Sequence, residues 1–227
     1  LMDIGAAGPI AGMVVCIPVL LYGMHTSAVA PLDPPTGNTL LEGHSILYEA
    51  LLYLLKGDIP AGHDIVLTST ALAGWVGLLV TMINLVPFGQ LDGGHIAYAL
   101  FDRRQHRISR LVLATLPFLA LVVSVFYGWQ MYSQLGHISW MHSFAGSHWL
   151  VWALLLYFMT RMGRTQLRRA LDDPETREMA KALGDPADAA LHPPVDDHRL
   201  SFGRKVMGFG CLLLFVLLFM PSMMRTY

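Results

Sequence analysis

Residues 84–95 read NLVPFGQLDGGH, and they interrupt a long apolar run. That run extends from residue 65 to residue 101, which is 37 residues. As one helix it would be about 55 Å long at 1.5 Å per residue, nearly twice the hydrocarbon thickness of a bilayer. Pro87 removes an amide donor and Gly89 loosens the backbone at this point. We therefore predict two helices separated by a break.

A carboxylate follows the break directly, at Asp92. An ionisable group at membrane depth costs several kcal/mol by insertion scales, so it usually has a partner and a function. Unwound backbone at that depth is tolerated only where it is buried in protein or lines a water-filled cavity. Residues 84–93 are therefore the candidate functional segment.

The composition of the chain places it in a membrane. Of its 227 residues, 54% are hydrophobic and 14% are charged, and the mean hydropathy is +0.50. Soluble domains carry about 25% charged and about 45–50% apolar residues. This balance excludes a disordered chain and a disulfide scaffold, and the net charge of −1 gives no basic surface for nucleic acid. Cys16 and Cys211 lie in apolar runs, so we expect buried thiols rather than a bridge.

The apolar stretches predict an all-α polytopic membrane fold with about five transmembrane segments. The expected segments are 8–24, 65–101 with its break, 111–131, 140–159 and 206–220. Thirteen of the fifteen basic residues fall in two stretches, four in 102–110 and nine in 161–205. Basic loops stay on the cytoplasmic side of a membrane, so we expect both stretches to be cytoplasmic, in a bacterial cell membrane.

This topology divides the chain into four parts. Residues 1–110 form the expected functional core, with an outer loop at 25–64, and residues 111–160 form two further helices. The cytoplasmic loop follows at 161–205, and residues 206–227 form the last transmembrane segment and a tail. Residues 45–56 are apolar but too short to span, which favours an interfacial or re-entrant helix. Asp173 and Pro174 predict the start of a short cytoplasmic helix that ends before Gly184.

Two motifs in this chain resemble those of the site-2 protease family, which consists of intramembrane zinc metalloproteases. Residues 84–93 match its NxxPxxxLDG signature, and GPIAG at 8–12 is similar to its GPxxG-like element one membrane segment earlier. The resemblance covers roughly residues 3–110 and extends to bacterial and plastid-type members. It implies that Asp92 is the third ligand of a Zn²⁺ ion and that Asn84 positions the substrate or polarises its carbonyl. The same resemblance assigns structural motif positions to Gly8, Pro9, Gly12, Pro87 and Gly93.

The first motif of that family, HExxH, is absent from residues 1–227. None of the ten histidines is followed by glutamate, and none pairs with another four residues later. In the family this motif supplies two histidine ligands and a glutamate base from a helix just before the GPxxG-like element. We therefore expect the chain to be the C-terminal portion of a longer protein, with both histidine ligands upstream. The 227-residue piece alone is expected to be inactive and to hold no stoichiometric zinc.

The function implied by the resemblance is cleavage of peptide bonds in membrane-embedded proteins. Its partners would be a membrane-embedded substrate and the lipid bilayer, without nucleic acid, and the oligomeric state stays open. Unwound backbone around Pro87 is expected to pair with the substrate as an added strand. A first alternative is a pseudoprotease that binds substrate helices without cutting them. A second alternative is a carrier or channel that uses the broken helix as an ion site, which would favour inverted repeats that the sequence does not show.

Several of these residues also have a purely structural interpretation. Asp92 fits a simple helix N-cap, Asn84 fits a polar contact between helices, and Pro87 fits a kink. His95 lies one helical turn after Asp92 and invites interpretation as a metal ligand, although the family's metal site is already filled. We expect ordinary loop histidines at 137, 142 and 148. The small residues at 71, 74 and 77 favour close helix packing rather than catalysis.

Overall fold

The computed structural model describes residues 1–32, 40–135, 146–170, 172, 174 and 200–226. The described part is mostly helical. Its helices are α1 (Met2–Thr26), α2 (Ile46–Lys56), α3 (Ser69–Asn84), α4 (Asp92–Phe101), α5 (Gln105–Leu135), α6 (Ser147–Ala170) and α7 (Phe202–Leu218). Its strands are β1 (Ala28–Pro31), β2 (Leu40–Glu42), β3 (His63–Val66) and β4 (Met224–Thr226).

The break in the long apolar run is confirmed. α3 ends at Asn84 and α4 begins at Asp92. The seven residues between them, 85–91, form the break segment. Ile65, which we expected at the start of a helix, lies in β3 instead. The helix begins after Thr68, whose hydroxyl accepts a hydrogen bond from the Ala71 amide at 3.3 Å and so caps the first turn.

Two small antiparallel sheets depart from the all-α prediction. β1 pairs with β3, with Ala28 opposite Val66, and this sheet joins the end of α1 to the start of α3. β2 pairs with β4, with Leu41 opposite Arg225. Strands of three or four residues are too short to give a readable alternation of apolar and polar residues, so the sequence pattern could not indicate them.

α1 and α3 pack closely because small residues line their contact. A Cβ atom added to Gly74 would lie 2.6 Å from the Leu20 Cα, and one added to Gly77 would lie 2.6 Å from the Cys16 Cβ. Ala71 of the same helix is fully buried. The packing role predicted for residues 71, 74 and 77 is therefore confirmed. Cys16 and Cys211 are buried free thiols, also as predicted.

The helix at residues 45–56 is confirmed as α2. Ser45 caps it by accepting a hydrogen bond from the Tyr48 amide at 3.1 Å, and Gly57, with φ +69°, ends it. The Lys56 ammonium donates to the carbonyls of His25 and Ser27 at 3.0 and 2.7 Å. The C-terminal end of α2 is thereby held against the C-terminal end of α1.

Two of the described helices are long and apolar enough to cross a bilayer by length and composition. They are α1 and residues 105–130 of α5. α3 is apolar but has only 16 residues. A complement of five transmembrane segments therefore stays a prediction.

Several helix bounds differ from the predicted ones. The basic stretch 102–110, expected to be a loop, is helical from residue 105, and α6 runs from residue 147 to residue 170 rather than from 140 to 159. α1 and α7 also begin earlier than the apolar stretches that indicated them. An apolar stretch indicates only the part of a helix that is kept from water. The helical hydrogen bonds continue into the polar residues on either side, so the helix is longer than the stretch. Trp140 and the helix predicted after Asp173 lie outside the described residues.

Candidate functional site

Asp92 is the first residue of α4 and lies against α1. A Cβ atom added to Gly8 of α1 would come within 2.8 Å of the Asp92 Oδ2 atom. A Cβ atom on Gly5, nearly one turn earlier, would lie 3.0 Å from the Asp92 carbonyl oxygen. The absence of side chains at these two positions is therefore what lets α4 begin in contact with α1. The GPxxG-like element and the LDG aspartate, 84 residues apart in sequence, meet here.

The Asp92 carboxylate has open acceptor positions. Within the described residues no hydrogen bond reaches it, and the residue before it, Leu91, provides no side-chain cap. The residue is half-buried, and the positive end of the α4 dipole favours a negative charge at this position. A carboxylate with free lone pairs among apolar helices is suited to bind a cation.

The break segment packs against α4. Cβ atoms added to Gly93 or Gly94 would collide with the carbonyl oxygens of Leu85 and Gly89, respectively. Within the segment the Leu91 amide donates to the Phe88 carbonyl at 3.1 Å. The carbonyls of Leu85 and Gly89 therefore lie close against α4, and the backbone pairing expected around Pro87 stays a prediction. At Gly93 the backbone of the break segment approaches so closely that a side chain would not fit.

A serine of α5 holds the other side of the break segment. The Gly89 amide donates to the Ser109 Oγ atom at 3.2 Å, and the Gln105 side-chain amide donates to the same oxygen at 2.9 Å. Gln105 is 1% exposed and Gly89 has φ +50°. Sequence reasoning missed this contact, because Ser109 lies in a basic stretch twenty residues from its partner. The available signal was Gln105, an uncharged polar residue between Arg104 and His106.

The remaining motif residues, Asn84, Pro9 and Gly12, lie on α3 and α1. Asn84 is the last residue of α3, is half-buried, and makes no side-chain hydrogen bond within the described residues. It lies at the opposite end of the break segment from Asp92, and no described contact joins the two side chains. Pro9 is buried within α1, and a Cβ atom on Gly12 would lie 3.0 Å from the Thr81 Oγ1 atom.

One prediction about the histidines is wrong. His148, expected in a loop, lies in the first turn of α6 beside Trp149, with ring centroids 5.0 Å apart. His95 lies one turn after Asp92, with its Cβ near Gly5. His137 and His142 fall outside the described residues.

Asp92 can serve as one ligand of a zinc ion, but the described residues near it do not provide the other ligands. In the part of the chain that the structure describes, no three His, Cys, Asp or Glu side chains come close enough to hold a metal ion. Zinc in proteins takes at least three protein ligands, with water in a fourth position at catalytic sites. Asp92 has the oxygen chemistry and the open acceptor positions of such a ligand. The other ligands would have to come from residues beyond those described.

A second polar cluster, formed by Glu42, His44, Tyr48 and Glu49, lies at the start of α2 and was not foreseen. The Tyr48 hydroxyl donates to the Glu42 Oε1 atom at 2.7 Å, and the His44 Nδ1 atom lies 2.6 Å from the Glu49 Oε1 atom. The His44 Nε2 atom is 3.7 Å from Glu42 Oε1, which is too long for a hydrogen bond but close enough for charge attraction.

The polar cluster changes the acidity of its members. Burial by itself raises the pKa of Glu42, but His44 and the Tyr48 hydroxyl outweigh it and hold that pKa below its usual value. Burial by itself lowers the pKa of His44, but Glu42 and Glu49 outweigh it and raise that pKa. Burial next to Glu42 raises the pKa of Tyr48. The cluster therefore favours an ionised Glu42 and a protonated His44.

Comparison with known proteins identifies relatives for the N-terminal half of the chain. A family model, Peptidase family M50, matches residues 1–126. Probable zinc metalloprotease EGY2, chloroplastic, of Oryza sativa subsp. indica is 34% identical over 136 residues, which is 57% of this chain and 24% of that protein. The EGY2 protein of Arabidopsis thaliana is 32% identical over 136 residues, 57% of this chain and 23% of its own length. Probable zinc metalloprotease EGY1, chloroplastic, of the same plant is 30% identical over 109 residues, 45% of this chain and 19% of that protein.

The similarity covers only part of each relative. The chain spans about a quarter of the length of the EGY2 proteins that it matches, and no solved structure matches it. The relatives are chloroplastic plant proteins, which contradicts the bacterial cell membrane expected from the sequence. The resemblance to intramembrane zinc metalloproteases, in contrast, is confirmed at the level of the family.

Proposed function

This chain belongs to peptidase family M50, and on that premise we propose that it forms the part of an intramembrane zinc endopeptidase that carries the third metal ligand, Asp92. Its zinc-metalloprotease homologues support a protease role. The two histidine ligands and the glutamate base are assigned to an HExxH helix outside residues 1–227. Substrates are membrane-embedded proteins, and the lipid bilayer surrounds the apolar helix faces.

The observation that carries the proposal is the position of the Asp92 carboxylate. It begins α4, faces Gly8 of α1, and accepts no hydrogen bond within the described residues. A plain helix cap would use its oxygens on backbone amides of the first turn, and Asp92 does not. Its oxygens remain available to a cation at the junction of α1 and α4.

The helix contacts support a multi-pass arrangement in which successive long helices alternate in direction. The Arg204 guanidinium pairs with the Asp3 carboxylate at 2.6 Å, which places the starts of α1 and α7 at the same end. At the other end, a Cβ atom on Gly23 would collide with the Ala71 backbone, so α3 begins where α1 ends. In a five-pass topology Asp92 then lies near the side that carries the basic residues.

The residues of this chain have separate tasks in the proposed reaction. A bound Zn²⁺ ion supplies a Lewis acid that activates water and polarises the peptide carbonyl. Asp92 would contribute one carboxylate ligand from the N-terminus of α4. Asn84 carries an amide donor that can stabilise negative charge on a carbonyl oxygen. The break segment and Gly8 keep both residues at the ends of rigid helices.

The test is removal of Asp92 in the longest natural chain that contains residues 1–227. Asp92→Ala should lose stoichiometric zinc and cleavage of a membrane-embedded reporter helix, because the loss of one of three protein ligands leaves the ion under-coordinated. We expect zinc affinity to fall at least about 100-fold, beyond the 10–100-fold typical of outer-shell changes. Metal analysis of the purified protein and a cleavage assay provide the two readouts.

Asp102→Ala is the matched control. Asp102 is the same residue type ten positions later, is exposed, and adjoins two arginines, so solvent already stabilises its charge. The control protein should retain zinc and activity. Wild-type zinc content and activity in Asp92→Ala would overturn the assignment. Zinc binding without cleavage in the unmodified protein would indicate a scaffold that binds substrate helices without cutting them.

A further inference from the structure

We infer that Ser109 is a positioning residue for the proposed zinc site: its hydroxyl, supported by Gln105, fixes the break segment and thereby the start of α4. The inference rests on the proposed function, since it assigns to Ser109 an effect on the ligand Asp92. No sequence motif of the resemblance includes either residue of this pair.

The break segment is held from two sides. On one side its carbonyls lie on Gly93 and Gly94, where no Cβ atom would fit. On the other side its Gly89 amide donates to Ser109 Oγ at 3.2 Å. Because α4 begins one residue after the segment ends, a shift of the segment moves the first turn of α4, and Asp92 lies in that turn.

Ser109 is itself fixed. Its oxygen also accepts a hydrogen bond from the Gln105 side-chain amide at 2.9 Å, so both lone pairs of the hydroxyl are used. Gln105 is 1% exposed, and a buried amide that loses its partner carries a desolvation penalty. Gln105 lies one turn before Ser109 on α5, so the pair is held by a continuous helix rather than by a loop.

The Gly89 conformation explains why such an anchor is needed. Its φ of +50° is the left-handed region that side chains disfavour and that glycine adopts without cost. A glycine in an unwound segment also has many alternative conformations, and nothing in its own backbone selects this one. The hydrogen bond to Ser109 favours this conformation, together with the packing of the Gly89 carbonyl on Gly94.

The experiment compares Ser109→Thr with Ser109→Val in the longest natural chain. These side chains have the same shape and differ only in the hydroxyl. The first readout is amide hydrogen exchange in residues 86–91 of the metal-free protein, and the second is the zinc dissociation constant measured by chelator competition. Ser133→Val is the control, since Ser133 lies on the same helix and its hydroxyl donates to the Gln130 carbonyl, its one hydrogen bond within the described residues.

We expect Ser109→Val to raise exchange at Gly89 and to weaken zinc binding about tenfold, the lower end for residues that orient metal ligands. Ser109→Thr should restore most of both, and Ser133→Val should change neither. Faster exchange with unchanged zinc affinity would overturn the inference, as would equal zinc affinities of the Thr and Val proteins. Asp92→Ala is measured in parallel: if it loses zinc while both Ser109 variants retain full affinity, the proposed function stands and only this inference fails.

Discussion

The carboxylates of Asp92 and Glu42 are both at least partly shielded from solvent, but their surroundings differ. Glu42 is 8% exposed, accepts a hydrogen bond from the Tyr48 hydroxyl, and lies 3.7 Å from the His44 ring. Asp92 is half-buried and accepts no hydrogen bond within the described residues. One carboxylate has hydrogen-bond donors supplied by the fold, whereas the other lies at the N-terminus of α4.

This difference distinguishes a carboxylate that stabilises the fold, Glu42, from one that remains available to a ligand, Asp92. Buried charges in folded proteins are normally paired or coordinate metals, because desolvation without a partner is costly. The partners of Glu42 are His44, in the loop after β2, and Tyr48, in the first turn of α2, so its charge contributes to holding β2 and α2 together. No described donor forms a hydrogen bond with Asp92, and the surrounding glycines leave space beside it. This contrast, rather than burial alone, distinguishes the candidate ligand.

The largest expected effect comes from replacing each carboxylate by its amide in metal-free protein. Glu42→Gln should lower the free energy of unfolding by about 1–2 kcal/mol, because charge-assisted hydrogen bonds are worth more than neutral ones. Asp92→Asn should change it by less than about 0.5 kcal/mol, since the lost helix-dipole attraction is offset by relief of desolvation. Unfolding titrations in mixed micelles measure both. A larger loss in Asp92→Asn than in Glu42→Gln would reverse the comparison.

A smaller effect is expected from the space beside Asp92. Gly8→Ala places a Cβ atom 2.8 Å from Asp92 Oδ2, so the Asp92 carboxylate must move from its present position. We expect a loss of about 1 kcal/mol, in the range typical of overpacking, together with weaker zinc binding in the longest natural chain. Gly210→Ala is the control, because nothing lies within 4 Å of its added Cβ atom. That variant should be neutral or slightly stabilising through reduced backbone entropy, and equal outcomes at both positions would contradict the close approach.

The smallest effect is the pH dependence of the polar cluster. The raised pKa of His44 stabilises the fold fully below about pH 6.5, the usual histidine value, and this contribution is lost as the pH rises through the higher folded pKa. The lowered pKa of Glu42 contributes above about pH 4.3 and is lost as the pH falls through the lower folded pKa. Stability should therefore decline as the pH rises above about 6.5. Thermal unfolding from pH 6 to pH 9 measures the decline, and an identical slope in His44→Gln would exclude His44 as its source.

Local sequence patterns predicted the features that depend on nearby residues. The apolar run that is too long for one span and the Pro87 and Gly89 pair within it predicted two helices with a break, and α3 and α4 confirm this. The apolar stretch at residues 45–56, too short to span a bilayer, predicted α2 in the same way. The NxxPxxxLDG signature led to the family, which the matched residues 1–126 confirm.

Contacts between distant residues could not be read from those patterns. Ser109 reaches Gly89 across twenty residues, the Trp75 indole donates to the Gly43 carbonyl across thirty-two, and β4 pairs with β2 across most of the chain. A hydrogen bond between distant residues leaves no periodicity in the sequence, because either partner alone looks like an ordinary polar or small residue. The sequence by itself determined which segments are helical, where the long run breaks and which carboxylate follows the break. Only the tertiary structure decided that Gly8 faces that carboxylate, because this depends on how α1 and α4 pack. It also decided that Glu42 accepts a hydrogen bond whereas Asp92 accepts none in the described residues, because this depends on which donors the folded backbone brings to each carboxylate.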